Sequence, residues 1–161
     1  MRISKRTLIA GLVAAPLMMA LPQAVFAQKK IVLGFSQIGA ESEWRTANTN
    51  SIKDTAAKEG IDLKFSDAQQ KQENQIKALR SFIAQKVDVI AFAPVVESGW
   101  DNVLKEIKAA KIPVILTDRS VDSKDTSLYV TFMGSDFTEE GRKAGRWLLE
   151  KVKNTKGDVN V

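Results

Sequence analysis

Hydrophobic residues recur along the chain in two alternating spacings. Short runs rich in valine and isoleucine predict β-strands at residues 30–36, 61–66, 87–94 and 112–117. Between them, apolar residues three or four positions apart predict helices at residues 42–59, 70–85 and 98–110. Gly60 is a suitable residue to end the first helix. In the third helix the apolar stripe comprises Trp100, Val103, Leu104 and Ile107, so we expect Trp100 to lie in the core.

This alternation predicts an α/β fold with a parallel sheet and helices on both faces. Parallel strands need crossover connections of helical length, and right-handed crossovers place those helices against the sheet. The run at residues 87–94 is almost wholly apolar, as expected for a strand covered on both faces. An alternative interpretation of the short runs as pieces of buried helix is less favoured, because they are short and rich in β-branched residues.

The pattern changes after residue 118. An extended segment is predicted at residues 128–133, followed by a helix at 137–153 whose start carries the capping pair Asp136 and Glu139. A further strand is expected to begin at Asp158, close to the last residue. Because an unpaired strand is an unusual end for a domain, we expect the sequence to be part of a longer protein.

The first 27 residues have the composition of a secretory signal. Arg2, Lys5 and Arg6 precede an apolar run, and small residues stand before a predicted cleavage after Ala27. An uncleaved membrane anchor is the alternative. This segment holds three basic residues and no acids, so 21 basic and 19 acidic residues remain, a net charge of +2. The high isoelectric point of the whole chain is therefore no argument for nucleic-acid binding.

The chain contains no cysteine and no histidine. Disulfides, cysteine–histidine zinc sites and the usual histidine general base are therefore excluded within it. We expect no metal, no cofactor and no catalytic residue.

Polar side chains collect where the predicted strands end. In an open parallel sheet, ligands bind outside the carboxyl ends of the strands. The residues that follow the four strands there are Gln37, Glu41, Ser42, Trp44 and Arg45; Asp67, Gln69 and Gln70; Pro94 and Val95; and Asp118 and Arg119. An indole can stack on the apolar face of a sugar ring, while carboxylates and guanidiniums bind adjacent hydroxyls. This rim therefore favours a small polyhydroxylated ligand, and it lacks the glycine and lysine motifs of phosphate sites.

Each candidate also has a purely structural interpretation. Trp44 could pack inward against the sheet, and Arg45 could form a surface ion pair with Glu41 or Glu43. Asp118 and Arg119 could be an ion pair within a turn. Two further residues could serve only to cap the second helix, namely Asp67 and Gln69.

Several segments resemble the ribose- and galactose-type (type I) periplasmic sugar receptors of ABC importers. They are IVLGFSQIGAESEWR, SDAQQKQENQIKALRSFIAQKVDVIAFAPVV, AAKIPVILTDRS and MGSD. Within this class, QIGAESEWR, DAQQKQENQIKALRSF and APVVESGW are most similar to galactofuranose-binding receptors. The resemblance covers essentially the whole chain after the predicted signal.

The resemblance implies a receptor of two lobes that close around a sugar through a hinge. Residues 28–134 would form an incomplete N-terminal sugar-binding lobe, and residues 135–161 would start a second lobe that is otherwise missing. Sugar contacts would fall on Ser42, Trp44 and Arg45, and on the pair Asp118 and Arg119. Further contacts with less support would be Glu41, Asp67 and Gln69.

The function implied is a periplasmic receptor that delivers a monosaccharide, galactofuranose or a similar pentose or hexose, to an inner-membrane ABC permease. The full-length receptor is expected to be a monomer without nucleic-acid partners. A sensor that feeds a chemotaxis receptor or membrane kinase is the alternative, whereas a repressor is disfavoured because a signal replaces the helix-turn-helix. A remote alternative is a glycosidase using Asp67 and Asp118, but Arg119 would keep Asp118 ionised and make it a poor acid.

Overall fold

The computed structural model describes residues 29–158 and residue 160. The predicted signal, residues 1–27, lies outside the described residues. Five strands and four helices follow in order along the chain: β1 (Val32–Gln37), α1 (Glu43–Lys58), β2 (Asp62–Asp67), α2 (Gln72–Ala84), β3 (Val89–Phe92), α3 (Asp101–Ala109), β4 (Val114–Asp118), β5 (Thr131–Gly134) and α4 (Phe137–Val152). The strands form one sheet in the order β2-β1-β3-β4-β5, and every adjacent pair is parallel. The predicted α/β architecture is confirmed.

The core lies between one face of the sheet and helices α2 and α3. Alternate residues of β3 and β4 point into it, including Ile90, Phe92 and Leu116. Trp100 is fully buried there, and its indole N–H donates to the carbonyl of Val96 at 2.7 Å. The core position expected for Trp100 is therefore confirmed, and its one polar atom is satisfied.

The opposite face of the sheet carries helix α1. Asn48 and Ile52 of this helix border an apolar groove whose floor includes Phe35, Ala91 and Ile115. Phe35 and Ala91 belong to strands of the sheet and alternate with residues that face the core on the other side. The helices therefore cover both faces of the sheet, as predicted.

Local chemistry explains where the helices begin and end. The hydroxyl of Ser42 accepts the backbone N–H of Arg45 at 3.1 Å and so caps α1. Gly60, with a φ of +69°, ends the same helix in the conformation that glycine adopts most readily. Helix α2 begins later than predicted, because Gln69 and Gln70 have φ values of +53° and +59° and form a turn.

The segment after β4 differs in part from the prediction. Residues Thr126–Leu128 form a short 3-10 helix, and the strand begins only at Thr131. Asp136 caps α4 by accepting the N–H of Glu139 at 2.8 Å, as expected from the pair. Helix α4 buries none of its residues, although Phe137, Trp147 and Leu149 are large and apolar. Asp158 lies in no strand, and the remainder of the predicted last strand is not fully described.

Candidate functional site

The strand order favours a binding site at one edge of the sheet, namely the edge formed by the carboxyl ends of the strands. After β1 the chain passes through α1 on one face of the sheet to β2, on one side of β1. After β2 it passes through α2 on the other face to β3, on the opposite side of β1. The direction in which strands are added therefore reverses between β1 and β3. A crevice forms outside the carboxyl ends of strands at such a reversal. The loops after β1, β3 and β4 meet at this edge, and they carry most of the residues that the sequence singled out.

Arg45 links the loop after β1 to the end of β4. Its Nε donates to Glu41 Oε1 at 3.1 Å, and its Nη2 donates to Asp118 Oδ2 at 2.9 Å. The side chain is only 4% exposed, so both hydrogen bonds are shielded from water. The sequence offered an ion pair between Arg45 and Glu41 on the surface as a structural alternative. The structure contains this pair, but the guanidinium is buried and also pairs with Asp118. The guanidinium therefore holds the Asp118 carboxylate in place.

The third nitrogen of Arg45 has no hydrogen-bond partner in the described structure, although it is buried. A buried donor without a partner costs free energy, and such groups concentrate where a ligand or a conformational change completes the bonding. Arg45 is predicted to face a sugar. Of its three guanidinium nitrogens, Nε and Nη2 bond within the protein, and Nη1 lacks a partner among the described residues.

Glu41 is held in its charged form. Partial burial alone would raise the pKa of this carboxyl, but hydrogen bonds from its own backbone N–H and from Arg45 lower it. The positive charges of Arg45 and Arg119 add to that effect, and the net result is a pKa below the ordinary value. Near neutral pH, Glu41 is therefore a fixed anion beside the guanidinium of Arg45.

Asp118 occupies a strained backbone position. Its φ is +64°, in the left-handed region, and the Arg119 N–H donates to the Thr117 carbonyl at 2.7 Å across it. This is a three-residue turn with a positive φ at its centre, a conformation that is rare and strained. The turn aims the Asp118 carboxylate away from the strand and toward Arg45. Such strain persists only where surrounding contacts hold it, and it clusters at functional sites.

Gly134 packs against this turn from the neighbouring strand. It is the register partner of Asp118, and a Cβ added to it would lie 2.5 Å from the Asp118 carbonyl oxygen. Only glycine fits at that distance. Asp118, whose backbone is strained, is therefore adjacent to Gly134, the residue at which the predicted crossing between lobes begins.

Trp44 lies over Arg45. The Arg45 Cζ is 4.7 Å from the centre of the indole, which is a cation–π contact. The tryptophan residue is 56% exposed, so it does not pack inward against the sheet. An exposed aromatic plane beside a buried guanidinium is a surface on which the apolar face of a ring can stack.

Arg119 reaches toward the loop after β3. Its Nη1 donates to the Val95 carbonyl at 3.3 Å, and its Nε lies 3.9 Å from Asp118 Oδ2. It borders a cavity of about 550 Å³ whose other walls include Phe132 and Phe137. The pair Asp118 and Arg119 is thus looser than the pair Arg45 and Asp118, which is separated by 73 positions in sequence.

The remaining candidates do not join this cluster. Asp67 accepts the N–H of Gln69 at 2.7 Å within its own turn and does not cap α2, whose N-cap is Lys71. Asp67 ends β2, three strands from Asp118, which is roughly 14 Å at the usual strand spacing. Among the hydrogen bonds and ion pairs of the described residues, none joins Asp67 or Gln69 to the arginines. Ser42 lies next to the cluster, where its hydroxyl caps α1.

Two contributions were not anticipated from the sequence. Val95 was placed at this edge, but the role of its carbonyl, which orients Arg119, was not predicted. Phe137, which lines the cavity, was not predicted there either. A backbone carbonyl leaves no trace in the residue type, and Phe137 reaches this edge only through the chain path after β5. Within residues 29–158, no group of three or more acidic side chains is placed to hold a metal ion. No helix in that range has the length and apolar content needed to cross a membrane.

The fold and this edge define a class of protein in which a small polar ligand binds at the carboxyl ends of parallel strands. Residues 33–161 match the family model of the periplasmic binding protein domain, and the chain belongs to this family. The galactofuranose-binding protein of Escherichia coli strain K12 is 54% identical over 148 residues, which are 92% of this chain and 45% of that protein.

Two solved structures are similar in both sequence and fold. A Mycobacterium smegmatis protein in complex with β-D-fucofuranose has a TM-score of 0.76 and 61% identity, over 81% of this chain and 43% of that one. The arabinose ABC transporter's periplasmic binding component from Shewanella sp. ANA-3, bound to α- and β-L-arabinofuranose, has a TM-score of 0.70 and 61% identity. That match covers 76% of this chain and 40% of the other. The Escherichia coli and Shewanella proteins are named as binding proteins. This chain spans less than half of the length of each of the three proteins.

Proposed function

We propose that this chain is the sugar-binding part of a periplasmic receptor that takes up a neutral monosaccharide in furanose form. The observation that carries the proposal is the Arg45–Asp118 ion pair, which fixes a carboxylate beside the exposed indole of Trp44. A carboxylate accepts hydrogen bonds from adjacent hydroxyls, and the indole stacks on the ring. Three similar proteins are named for, or solved with, galactofuranose, fucofuranose or arabinofuranose.

The charges at the edge favour a neutral ligand. Glu41 and Asp118 offset Arg45, and Arg119 is half-exposed beside Asp118. These two carboxylates and two guanidiniums leave no net positive charge to compensate the cost of removing a sugar phosphate or sugar acid from water. Ser42 and Glu41 precede Trp44 in the loop after β1 and complete the proposed set of contacts on this side, with Asp67 and Gln69 as outer contacts.

The second part of the proposal concerns the lobes. Residues up to 134 form the first lobe and α4 begins the second, which is supported by the absence of any buried residue in α4. Sugar binding would close the lobes through the segment after Gly134, and the closed form would be recognised by an inner-membrane ABC permease. Residues 1–27 would direct export to the periplasm and be removed. Transport is favoured over sensing because a similar structure is the binding component of an ABC transporter.

We propose that no reaction occurs at this edge. A glycosidase needs two carboxyl groups no more than about 9.5 Å apart, whereas Asp67 and Asp118 stand on strands that are three positions apart. The Asp118 carboxylate is also ion-paired with Arg45, so it is already engaged within the protein. Release of nitrophenol from a nitrophenyl glycoside by the purified protein would contradict this part of the proposal.

The test is a calorimetric titration of the natural full-length polypeptide with galactofuranose, galactopyranose, ribose and arabinose. We expect one furanose-forming sugar to bind in the micromolar range or tighter, with loss of binding in Trp44→Ala and Arg119→Ala. Lys53→Ala is the matched surface control and should bind normally, because its ammonium lies over the ring of Phe65 in β2, the strand at the other side of the sheet from Asp118. A folded protein that binds none of the four sugars would refute the sugar assignment.

A further inference from the structure

Gln75 is a fully buried amide at the reversal of strand order. It lies in the first turns of α2 and is 0% exposed. Its Nε2 donates to the Ala93 carbonyl at 2.8 Å and to the Ser36 carbonyl at 3.3 Å. Ser36 lies near the end of β1, and Ala93 directly follows the end of β3; the proposed site opens between these two strands. Gln75 therefore joins the two strands where their own ladder of hydrogen bonds ends.

The same side chain also fixes the loop after β3. Gln75 Oε1 accepts the N–H of Val95 at 2.9 Å. The carbonyl of that residue in turn accepts the guanidinium of Arg119 at 3.3 Å. The amide of Gln75 thus uses both its donor group and its acceptor on backbone groups. One of the residues it holds, Val95, contacts Arg119, which is a proposed sugar contact.

We propose that Gln75 is a positioning residue for sugar affinity, which acts by placing the Val95 backbone that orients the guanidinium of Arg119. This inference rests on the proposed function, because it assigns Gln75 a part in the same site. Gln75 does not contact the ligand, since no part of its side chain reaches the surface. A glutamine is suited to this place because a neutral side chain that both donates and accepts satisfies all three backbone groups without burying a charge.

If Gln75 only stabilises the fold, the effect of its substitution on sugar affinity should not depend on the residue at position 119. If Gln75 positions Arg119, that effect should depend on it. Gln75→Met keeps the length of the side chain but removes its hydrogen bonds. Arg119→Lys keeps the positive charge but loses the planar fork that bonds Val95. If Gln75 acts through Arg119, the loss of affinity from Gln75→Met should be large in the wild-type background and small in the Arg119→Lys background.

The experiment is calorimetry on the natural full-length polypeptide with galactofuranose and L-arabinose as probes. We expect Gln75→Met to raise Kd about tenfold in the wild-type background and less than about twofold with Arg119→Lys. Gln85→Met is the matched control, because this exposed glutamine at the end of α2 bonds only Ser81; its Kd should not change. An equal factor in both backgrounds, or an unchanged Kd, would overturn the inference.

A second variant keeps the inference testable should Gln75→Met not fold. Gln75→Glu retains an oxygen for the Val95 N–H, but when ionised it places a carboxylate against the Ser36 and Ala93 carbonyls. When protonated, its hydroxyl restores one donor. We therefore expect its Kd to approach the wild-type value as pH falls from about 8 to 5, because burial raises the pKa of such a carboxyl.

A pH-independent Kd for Gln75→Glu would overturn the inference. A wild-type protein that binds neither probe would instead refute the proposed function itself, so the two failures are distinguishable.

Discussion

Replacing Arg45 by methionine tests the buried charge cluster directly. The change removes two hydrogen bonds, of 3.1 Å to Glu41 and 2.9 Å to Asp118. A hydrogen bond to a charged group contributes about 1.5–3 kcal/mol, and breaking a fully buried pair costs about 3–5 kcal/mol. The carboxylate side chains remain 27% and 18% exposed, so water replaces part of the lost bonding. We therefore expect the free energy of unfolding to fall by about 2 kcal/mol near neutral pH.

The loss of unfolding free energy in Arg45→Met should depend on pH. Glu41 has a lowered pKa in the folded protein, so its pairing stabilises the fold above the pKa of an unfolded glutamate, about 4.3. This contribution disappears as pH falls through the lower, folded pKa. The difference in unfolding free energy between wild type and Arg45→Met should therefore narrow below about pH 4.

Urea unfolding of the natural full-length polypeptide, followed by tryptophan fluorescence, measures this difference. Among the described residues, Trp100 is fully buried while Trp44 and Trp147 are exposed, so the emission of Trp100 reports on the core around it. Arg80→Met is the matched control, because it removes an arginine with two hydrogen bonds of 2.8 Å to an exposed glutamate and should change stability little. An Arg45→Met effect as small as that of Arg80→Met would refute the reasoning.

Two further substitutions test the packing around the site and the core. Gly134→Ala should lower the free energy of unfolding by about 1–3 kcal/mol, because its Cβ would lie 2.5 Å from the Asp118 carbonyl oxygen. Scanning calorimetry should show this as a lower melting temperature. Gly145→Ala, where a Cβ meets open space in α4, is the control and should leave the melting temperature unchanged or slightly raised. Trp100→Phe should destabilise by about 2 kcal/mol in urea unfolding, since it leaves a cavity and an unpaired Val96 carbonyl; an unchanged midpoint would contradict the buried position of the indole.

The periodic segments could be predicted from the sequence because they depend on local chemistry. A strand covered on both faces is apolar throughout, and a helix against a sheet repeats its apolar residues every three or four positions. The end of α1 at Gly60 and the cap of α4 at Asp136 follow from single residue types that suit those positions. The start of α2 was predicted too early because two glutamines adopt a positive φ, which their residue type does not suggest.

The candidate site was predicted as a set of residues but not as an arrangement. The sequence placed Trp44, Arg45, Asp118 and Arg119 at one edge, because strand ends of a parallel sheet meet there. An ion pair between Asp118 and its neighbour Arg119 was one interpretation of the sequence, yet the shorter contact of Asp118 is with Arg45. A pairing across 73 positions depends on strand order and on the turn at Asp118, and neither has a sequence signal.

The sequence by itself determined the class of fold, the edge of the sheet at which polar residues gather and the core position of Trp100. These follow from residue type and spacing, which act within a few positions along the chain. Only the tertiary structure decided that Arg45 is buried while Trp44 is exposed, and that Gln75 links two strands to the loop that holds Arg119. Such contacts join residues that are distant in sequence, so they exist only once packing has brought the strand ends together.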